Sequence, residues 1–218
     1  MFTVRSELPR KIGRNRTRSR SCKAGRMDQG SDRWRVLSSR PIYSSPWVGI
    51  EMVDVVLPSG VRREHHAVTM PSAAMTVVFN DEGSAILLSW RHRFVPDVWN
   101  WELPGGIVDG TETPERAAER EVVEETGYRP SNVEHVVTFE PMVGMVTSPH
   151  HVFVSHGAER IADPIERDEG RFEWVPIDKA SQLVANGQVR NSGTLIGLLY
   201  CLAIGHRQDL DEPPPLSG

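Results

Sequence analysis

The order of elements in this chain predicts a mixed α/β (α+β) fold, a sandwich built on a mixed β-sheet. Strand-like apolar runs come first, one strongly helical segment interrupts them, and further strands and then two helices close the chain. The regular strand–helix alternation of a doubly wound sheet is absent. A single good core is what 218 residues support.

Taken in order, residues 1–32 have few large apolar side chains, no period and dense positive charge, and read as a disordered basic tail. Trp34–Leu37 suits a short strand, and Ser38–Pro46 a turn-rich link. Trp47–Leu57 and Val61–Met70 flank Pro58-Ser59-Gly60 and predict a hairpin. Ala73–Phe79 reads as a buried strand, Asn80–Gly83 as a tight turn and Ala85–Trp90 as the partner strand, ending at Arg91-His92-Arg93. Val95–Asn100 reads as a loop, and Trp101–Leu103 as a short strand stopped by Pro104-Gly105-Gly106. A helix follows, with Thr113 as N-cap, Pro114 in the first helical position and Gly127 at C′. Val133–Phe139, His151–Ser155 and Phe172–Pro176 are strands; Ile161–Gly170 is an acidic loop. Ile177–Asn186 and Ser192–Ile204 are helices. The expected organisation is a tail (1–32), an N-terminal β-region (33–70), a main domain (71–206) and a flexible end (207–218).

Charge is distributed unevenly. Residues 1–26 carry nine Lys/Arg against Glu7, a net of +8, so the chain's overall −4 leaves −12 on the remainder. An acidic body suits a protein that gathers cations and is poor for gripping nucleic acid over a broad face. Met27 opens a globular-looking start, so the first 26 residues read as an upstream extension; an RNA or anionic-membrane tail, a transit-like presequence and a specificity arm are the functional alternatives. No apolar h-region follows the charges, against a secretory signal, and no apolar run approaches the roughly 20 residues of a membrane span. Cys22 and Cys201 stand in unrelated contexts, which argues against a disulfide and for a cytoplasmic location.

The helix is the informative stretch. Glu112, Glu115, Glu119, Glu121, Glu124 and Glu125 crowd it, with only Arg116 and Arg120 among them. At about 100° per residue, Glu121, Glu124 and Glu125 share one arc. Each unneutralised like-charge pair costs a helix about 0.2–0.5 kcal/mol, so a positive partner is required. Hard carboxylate oxygens on one face suit Mg²⁺ or Mn²⁺. Glu112 and Arg120 lie two turns apart and can brace loop to helix, and Ala118 and Val122 can pin it to a sheet. Gly105-Gly106 lets the backbone approach closely, so a Gly105 carbonyl can join the metal shell.

The spacing Gly106-x5-Glu112-x7-Arg120-Glu121-Val122-x-Glu124-Glu125-x-Gly127-Tyr128 resembles the Nudix box. All its fixed positions match; Tyr128 departs at a packing position where an aliphatic residue is usual. Around it, Arg91-His92-Arg93 and Trp99-Asn100-Trp101-Glu102-Leu103-Pro104-Gly105-Gly106 look like the ADP-ribose pyrophosphatase branch of the Nudix hydrolases. The resemblance implies an α/β/α sandwich around a mixed sheet with an N-terminal β-hairpin region, and Mg²⁺ (or Mn²⁺) held by Glu121, Glu125 and Glu124. It implies catalytic roles for Glu124, Arg120 and Glu112, and a nucleoside diphosphate substrate such as ADP-ribose or another nucleoside-diphosphate sugar. It also implies a homodimer paired through the N-terminal region. Arg91 and Arg93 can grip phosphate, Glu102 a ribose, and Trp99 a base, as can Trp47 and Tyr43.

One stretch departs from that branch. Pro141 is followed by Val143-Gly144, and no acid stands between Glu140 and Glu159. The water-activating base is therefore open among Glu124, Glu140, His150 and the acids of 166–169. Alternative substrates are dinucleotides, dinucleoside polyphosphates and capped RNA ends. A non-catalytic ligand sensor is the alternative of another class, disfavoured by the complete Arg120–Glu125 run.

Overall fold

A computed structural model describes residues 33–165 and 170–211, with side chains through Ala203. The basic tail 1–32 with Cys22, the acids of 166–169 and the end of the chain from 212 lie outside the described residues.

Two sheets organise the described chain. The smaller joins β1 (Arg35–Ser44), β2 (Gly49–Val56) and β3 (Arg62–Thr69) as antiparallel neighbours. Its first strand is longer than the sequence suggests: Ser38–Ser44, expected as a link, stays in register with β2. Irregularities at Val36/Ser38 and Pro41/Tyr43 absorb what would have broken it. Proline, which lacks an N–H donor, is tolerated at such a bulge on an edge strand. The β2–β3 hairpin turns where expected, with Gly60 donating to the Leu57 carbonyl at 2.9 Å and holding φ at 84°.

The larger sheet contains β4 (Ala73–Phe79), β5 (Ala85–Arg93), β6 (Val98–Glu102) and β7 (Gly105–Ile107). After α1 (Pro114–Thr126) and β8 (Tyr128–Pro130) it gains β9 (Glu134–Phe139). The two-residue β10 (Val146–Thr147) then pairs with β3 of the smaller sheet, before β11 (His150–His156), β12 (Ala158–Arg160) and β13 (Arg171–Pro176). Strand order is β13-β5-β4-β11-β9, with β6 beside β5 and β7 beside β4; only β4–β11 is parallel within it. The sheet is mixed, as predicted. The chain closes with α2 (Ile177–Ala185) and α3 (Ser192–Asp211), the latter running past Ile204, where the sequence ends it, and into the segment expected as a flexible end from 207.

Strand alternation sends side chains to both faces. Met75, Val77, Phe79, Ile86 and Leu88 pack with Leu103, Val152 and Leu198 under α2 and α3. From the other face, Ala74 and Phe153 meet Ala117 and Ala118 of α1, and Val78 and Leu87 meet Val122. This gives the expected α/β/α layering and explains why β4 reads as an unbroken apolar run. Two local expectations are corrected. The loop assigned to Val95–Asn100 ends at Val98, where β6 begins, because Val98–Trp101 pair back onto Arg93–Trp90. Gly105-Gly106, expected to stop a strand, form β7. A Cβ on Gly105 would lie 2.4 Å from the Ala74 carbonyl oxygen, so pairing this close admits only glycine.

Candidate active site

Helix α1 begins as its sequence dictates. The Thr113 hydroxyl accepts from the Arg116 amide at 3.4 Å, and at the far end Gly127, at φ 74°, donates to the Val123 carbonyl at 2.9 Å. Ala117, Ala118 and Val122 are fully buried on the sheet. That anchoring leaves Glu121, Glu124 and Glu125 lining a cavity of about 700 Å³ between α1, β7 and the end of β5.

The electrostatic problem posed by the glutamates has a partial internal answer. Arg120 donates to Glu112 Oε1 at 2.7 Å, to Glu121 Oε1 at 2.7 Å, to Glu124 Oε2 at 2.9 Å and to the Ile107 carbonyl at 3.0 Å. Held by carboxylates on three sides, its guanidinium is raised further above its ordinary value, Glu112 contributing most. Glu112 in turn accepts from the Asp109 amide at 2.7 Å and is held below the usual carboxylate range, chiefly by Arg120. The expected Glu112–Arg120 brace therefore exists, and it ties the β7–α1 loop to the acidic face.

Glu125 is a different case. It is 2% exposed, and accepts from Arg91 Nη2 at 2.6 Å and from the Gly105 amide at 2.9 Å. Burial pushes its carboxyl up to about 7, against the opposing pull of Arg91. Arg91 is equally buried, braced by the Ser89 hydroxyl at 3.2 Å and lying 5.9 Å from the Phe172 ring centroid. Arg93 donates to both oxygens of Glu102, at 2.6 Å for the shortest contact, and Asn100 donates to the same carboxylate at 3.0 Å. The two arginines expected to face substrate thus each hold a buried carboxylate at the cavity wall.

The structure brings most of the predicted residues together. Arg91, Arg93, Glu102, Gly105, Arg120, Glu121, Glu124 and Glu125 line the one cavity. Glu112 stands behind it, reached through Arg120. Trp99 faces a neighbouring cavity, Trp47 lies on the first, and Tyr43 lines neither. Of the base candidates, Glu124 and His150 line the cavity. Glu140 instead accepts from the Ser148 amide at 2.7 Å, bracing its own loop. His151 points to the opposite face, its Nδ1 at 2.9 Å from the Thr138 hydroxyl. Burial holds the His150 imidazole below its ordinary value. Sequence reasoning missed Arg190 and Asn100, which pair across ninety positions, beyond the reach of any local spacing, and it missed Asn191, whose cap on Thr194 three residues on is a local signal.

Whether these residues suit a metal is answered by donor chemistry and space. Among the described residues no three His, Cys, Asp or Glu side chains already converge as a closed cage. Three hard carboxylates nonetheless face one cavity, with Arg120 supplying positive charge between Glu121 and Glu124. Gly106 opens the room for this, since a Cβ there would lie 2.5 Å from the Glu121 carboxylate. The set fits a hard divalent cation.

Comparison with known proteins agrees. Residues 69–194 match the family described as NUDIX domain. A CMP-5'-(N-acetyl-N-hydroxy-3-aminopropyl)phosphonate hydrolase of Streptomyces rubellomurinus is 47% identical over 174 residues, covering 79% of this chain and 84% of that protein. An ADP-ribose pyrophosphatase of Bacillus subtilis is 27% identical over 169 residues, covering 76% and 91%. The crystal structure of an ADP compounds hydrolase shares the fold with a TM-score of 0.70 at 18% identity, over 80% of this chain and 95% of that one. NUDIX hydrolases generally use divalent metals. The chain belongs to the NUDIX domain family, as the spacing of its glutamates predicts, and is a hydrolase acting on phosphoric anhydrides.

Proposed function

We propose that this protein hydrolyses the anhydride joining a nucleoside 5′-monophosphate to a second phosphoryl or phosphonyl group, using Mg²⁺ or Mn²⁺. The carrying observation is the single cavity in which Glu121, Glu124, Glu125 and the Gly105–Gly106 backbone face Arg91 and Arg93. Glu121, Glu125 and Glu124, with the Gly105 carbonyl, would hold the cation, which when bound would supply charge neutralisation on the anhydride and a more acidic attacking water.

The chain's own groups do the rest. Arg120 and Glu112 set the positions of Glu121 and Glu124. Arg91 holds Glu125, and Arg93, Glu102 and Trp99 receive the substrate beyond the anhydride. Glu124 is the least enclosed of the three carboxylates and accepts the water's proton. As the water oxygen bonds to one phosphorus, the bond from that phosphorus to the bridging oxygen breaks. The second fragment leaves carrying that oxygen.

Two substrate classes are supported by different observations. The relative at 47% identity favours a CMP-linked phosphonate. The Trp99–Gly106 run and the more distant relative favour ADP-ribose or another nucleoside-diphosphate sugar. A homodimer is part of the reading, because Trp34, β1 and the β1–β2 turn leave large apolar side chains exposed, Trp34, Val36, Ile42, Tyr43 and Trp47 among them. Residues 33–70 then serve as the pairing region and 71–206 as the hydrolase domain, in the cytoplasm. Among the described residues no helix is long and apolar enough to cross a membrane.

A panel of nucleoside diphosphate compounds tests the proposal, read by phosphatase-coupled phosphate release with and without Mg²⁺ and Mn²⁺. Metal-dependent release from a CMP-phosphonate or a nucleoside-diphosphate sugar is expected. Silence across the panel would refute the hydrolase reading.

A further inference from the structure

A second cavity, of about 770 Å³, adjoins the first and shares Arg91, Arg93, Glu102 and Asn191 with it. The Arg93–Glu102 pair stands on the boundary between them. The acidic, glycine-floored side is suited to cation and anhydride. The other side is aromatic and basic, and it faces the part of the substrate beyond the anhydride. Its wall carries Trp99 and His92, whose ring centroids lie 5.4 Å apart, and from the core behind them Trp90 stacks on Trp99 at 6.1 Å with planes 21° apart. Trp99 is held from behind and still 55% exposed, so an indole surface is presented to the cavity.

Arg190 lines the same space. Its side-chain hydrogen bond is a long one, Nε donating to the Gly187 carbonyl at 3.4 Å, and no carboxylate pairs with it among the described residues. Beside it Asn191 spends its side-chain oxygen on the Thr194 amide at 3.0 Å, capping α3 and leaving its NH₂ as a donor on the cavity side. Donors dominate this end. Arginine's fork matches two adjacent acceptors on one molecular edge. Cytosine presents such a pair in O2 and N3, whereas adenine's Watson–Crick edge alternates an acceptor with a donor.

We infer that this second cavity is the nucleobase subsite, with Trp99 as its stacking platform and Arg190 as the residue that selects cytosine over adenine. The inference rests on the anhydride hydrolase reading for its biological meaning, but base binding is measurable without turnover. Stacking on an aromatic side chain is tolerant of base identity, so Trp99 contributes affinity and Arg190 contributes choice.

Calorimetric titration of the full chain with CMP and with AMP separates the two roles. The unaltered protein is expected to bind CMP at least about tenfold more tightly than AMP, one bidentate contact's discrimination. Arg190→Ala is expected to bring that ratio close to one by weakening CMP alone, and Arg190→Lys, which keeps the charge but not the fork, is expected not to restore it. Trp99→Ala should weaken both nucleotides by about tenfold, and Trp99→Phe should recover most of the loss. An unchanged CMP-to-AMP ratio in Arg190→Ala would overturn the selectivity assignment. Unchanged binding of both nucleotides in Trp99→Ala would overturn the subsite. If these variants behave as expected while no anhydride is cleaved, the subsite stands and the hydrolase reading falls.

Discussion

Replacing Gly106 with alanine separates the geometry of the site from the stability of the fold. The new Cβ would lie 2.5 Å from Cδ and Oε1 of Glu121 and 2.6 Å from Oε2. Ordinary contact between such atoms begins near 3.5 Å, so the carboxylate must retreat by about 1 Å. It is the free end of a flexible side chain, and Gly106 is not among the glycines with left-handed φ. The fold should therefore lose less than about 1 kcal/mol. A 1 Å displacement of a positioned group costs on the order of 100-fold in rate, equivalent to about 2.7 kcal/mol of barrier. Gly105→Ala is the contrasting perturbation. Its Cβ would meet the Ala74 carbonyl oxygen at 2.4 Å and the Met75 Cα at 2.6 Å, both backbone of the central strand, and a loss of about 3 kcal/mol is expected. Urea unfolding and metal-dependent phosphate release measured on both variants decide the matter. A Gly106→Ala protein that unfolds as early as Gly105→Ala, or that turns over at the unaltered rate, would refute the reasoning.

Further outcomes follow from the same structure. Arg91→Met should destabilise by about 1–3 kcal/mol, because it leaves the buried Glu125 carboxyl without its hydrogen-bond donor; adding Glu125→Gln should recover part of that in thermal unfolding. Thr76 Oγ1 is fully buried with no hydrogen-bond partner among the described residues, so Thr76→Val should stabilise by about 1 kcal/mol in urea titration. Glu125 keeps its proton up to about pH 7 in the folded chain against an ordinary value of 4.5. Between those values the folded state binds the extra proton, so metal-free stability falls as pH rises through the window. Unfolding midpoints at pH 5 and pH 7.5 should differ more in the unaltered protein than in Glu125→Gln, and equal slopes would contradict the assignment.

The acidic helix was the most legible part of the chain because its information is local. Thr113, Pro114 and Gly127 mark its ends within one stretch of sequence, and the spacing of Glu121, Glu124 and Glu125 sets their shared face whatever they pack against. The Glu112–Arg120 brace was legible for the same reason. What escaped depends on pairing between distant segments. Strand β1 looked broken at Pro41 because only its register with β2 shows that a bulge absorbs the proline. Strand β7 looked like a stop because two glycines signal a turn until the backbone of Ala74 is seen against them. The short β8, β10 and β12 exist only through partners far along the chain. Arg91 illustrates the limit at the site. From sequence it can grip phosphate; the carboxylate it holds, Glu125, is 34 positions away, and only the fold brings the two together. Arg190 carried no signal at all, since its neighbour Asn100 belongs to β6, ninety positions away.

The central claim is that the Glu121–Glu125 face, charged with a divalent cation, cleaves a nucleotide anhydride. Phosphorus NMR of the full chain with a CMP-phosphonate and Mg²⁺ tests it most directly, run beside Glu124→Gln. The account predicts conversion to CMP and free phosphonate that requires the metal and slows by at least about 100-fold in the variant. Hydrolysis that proceeds equally without metal, or at the same rate in Glu124→Gln, would contradict it.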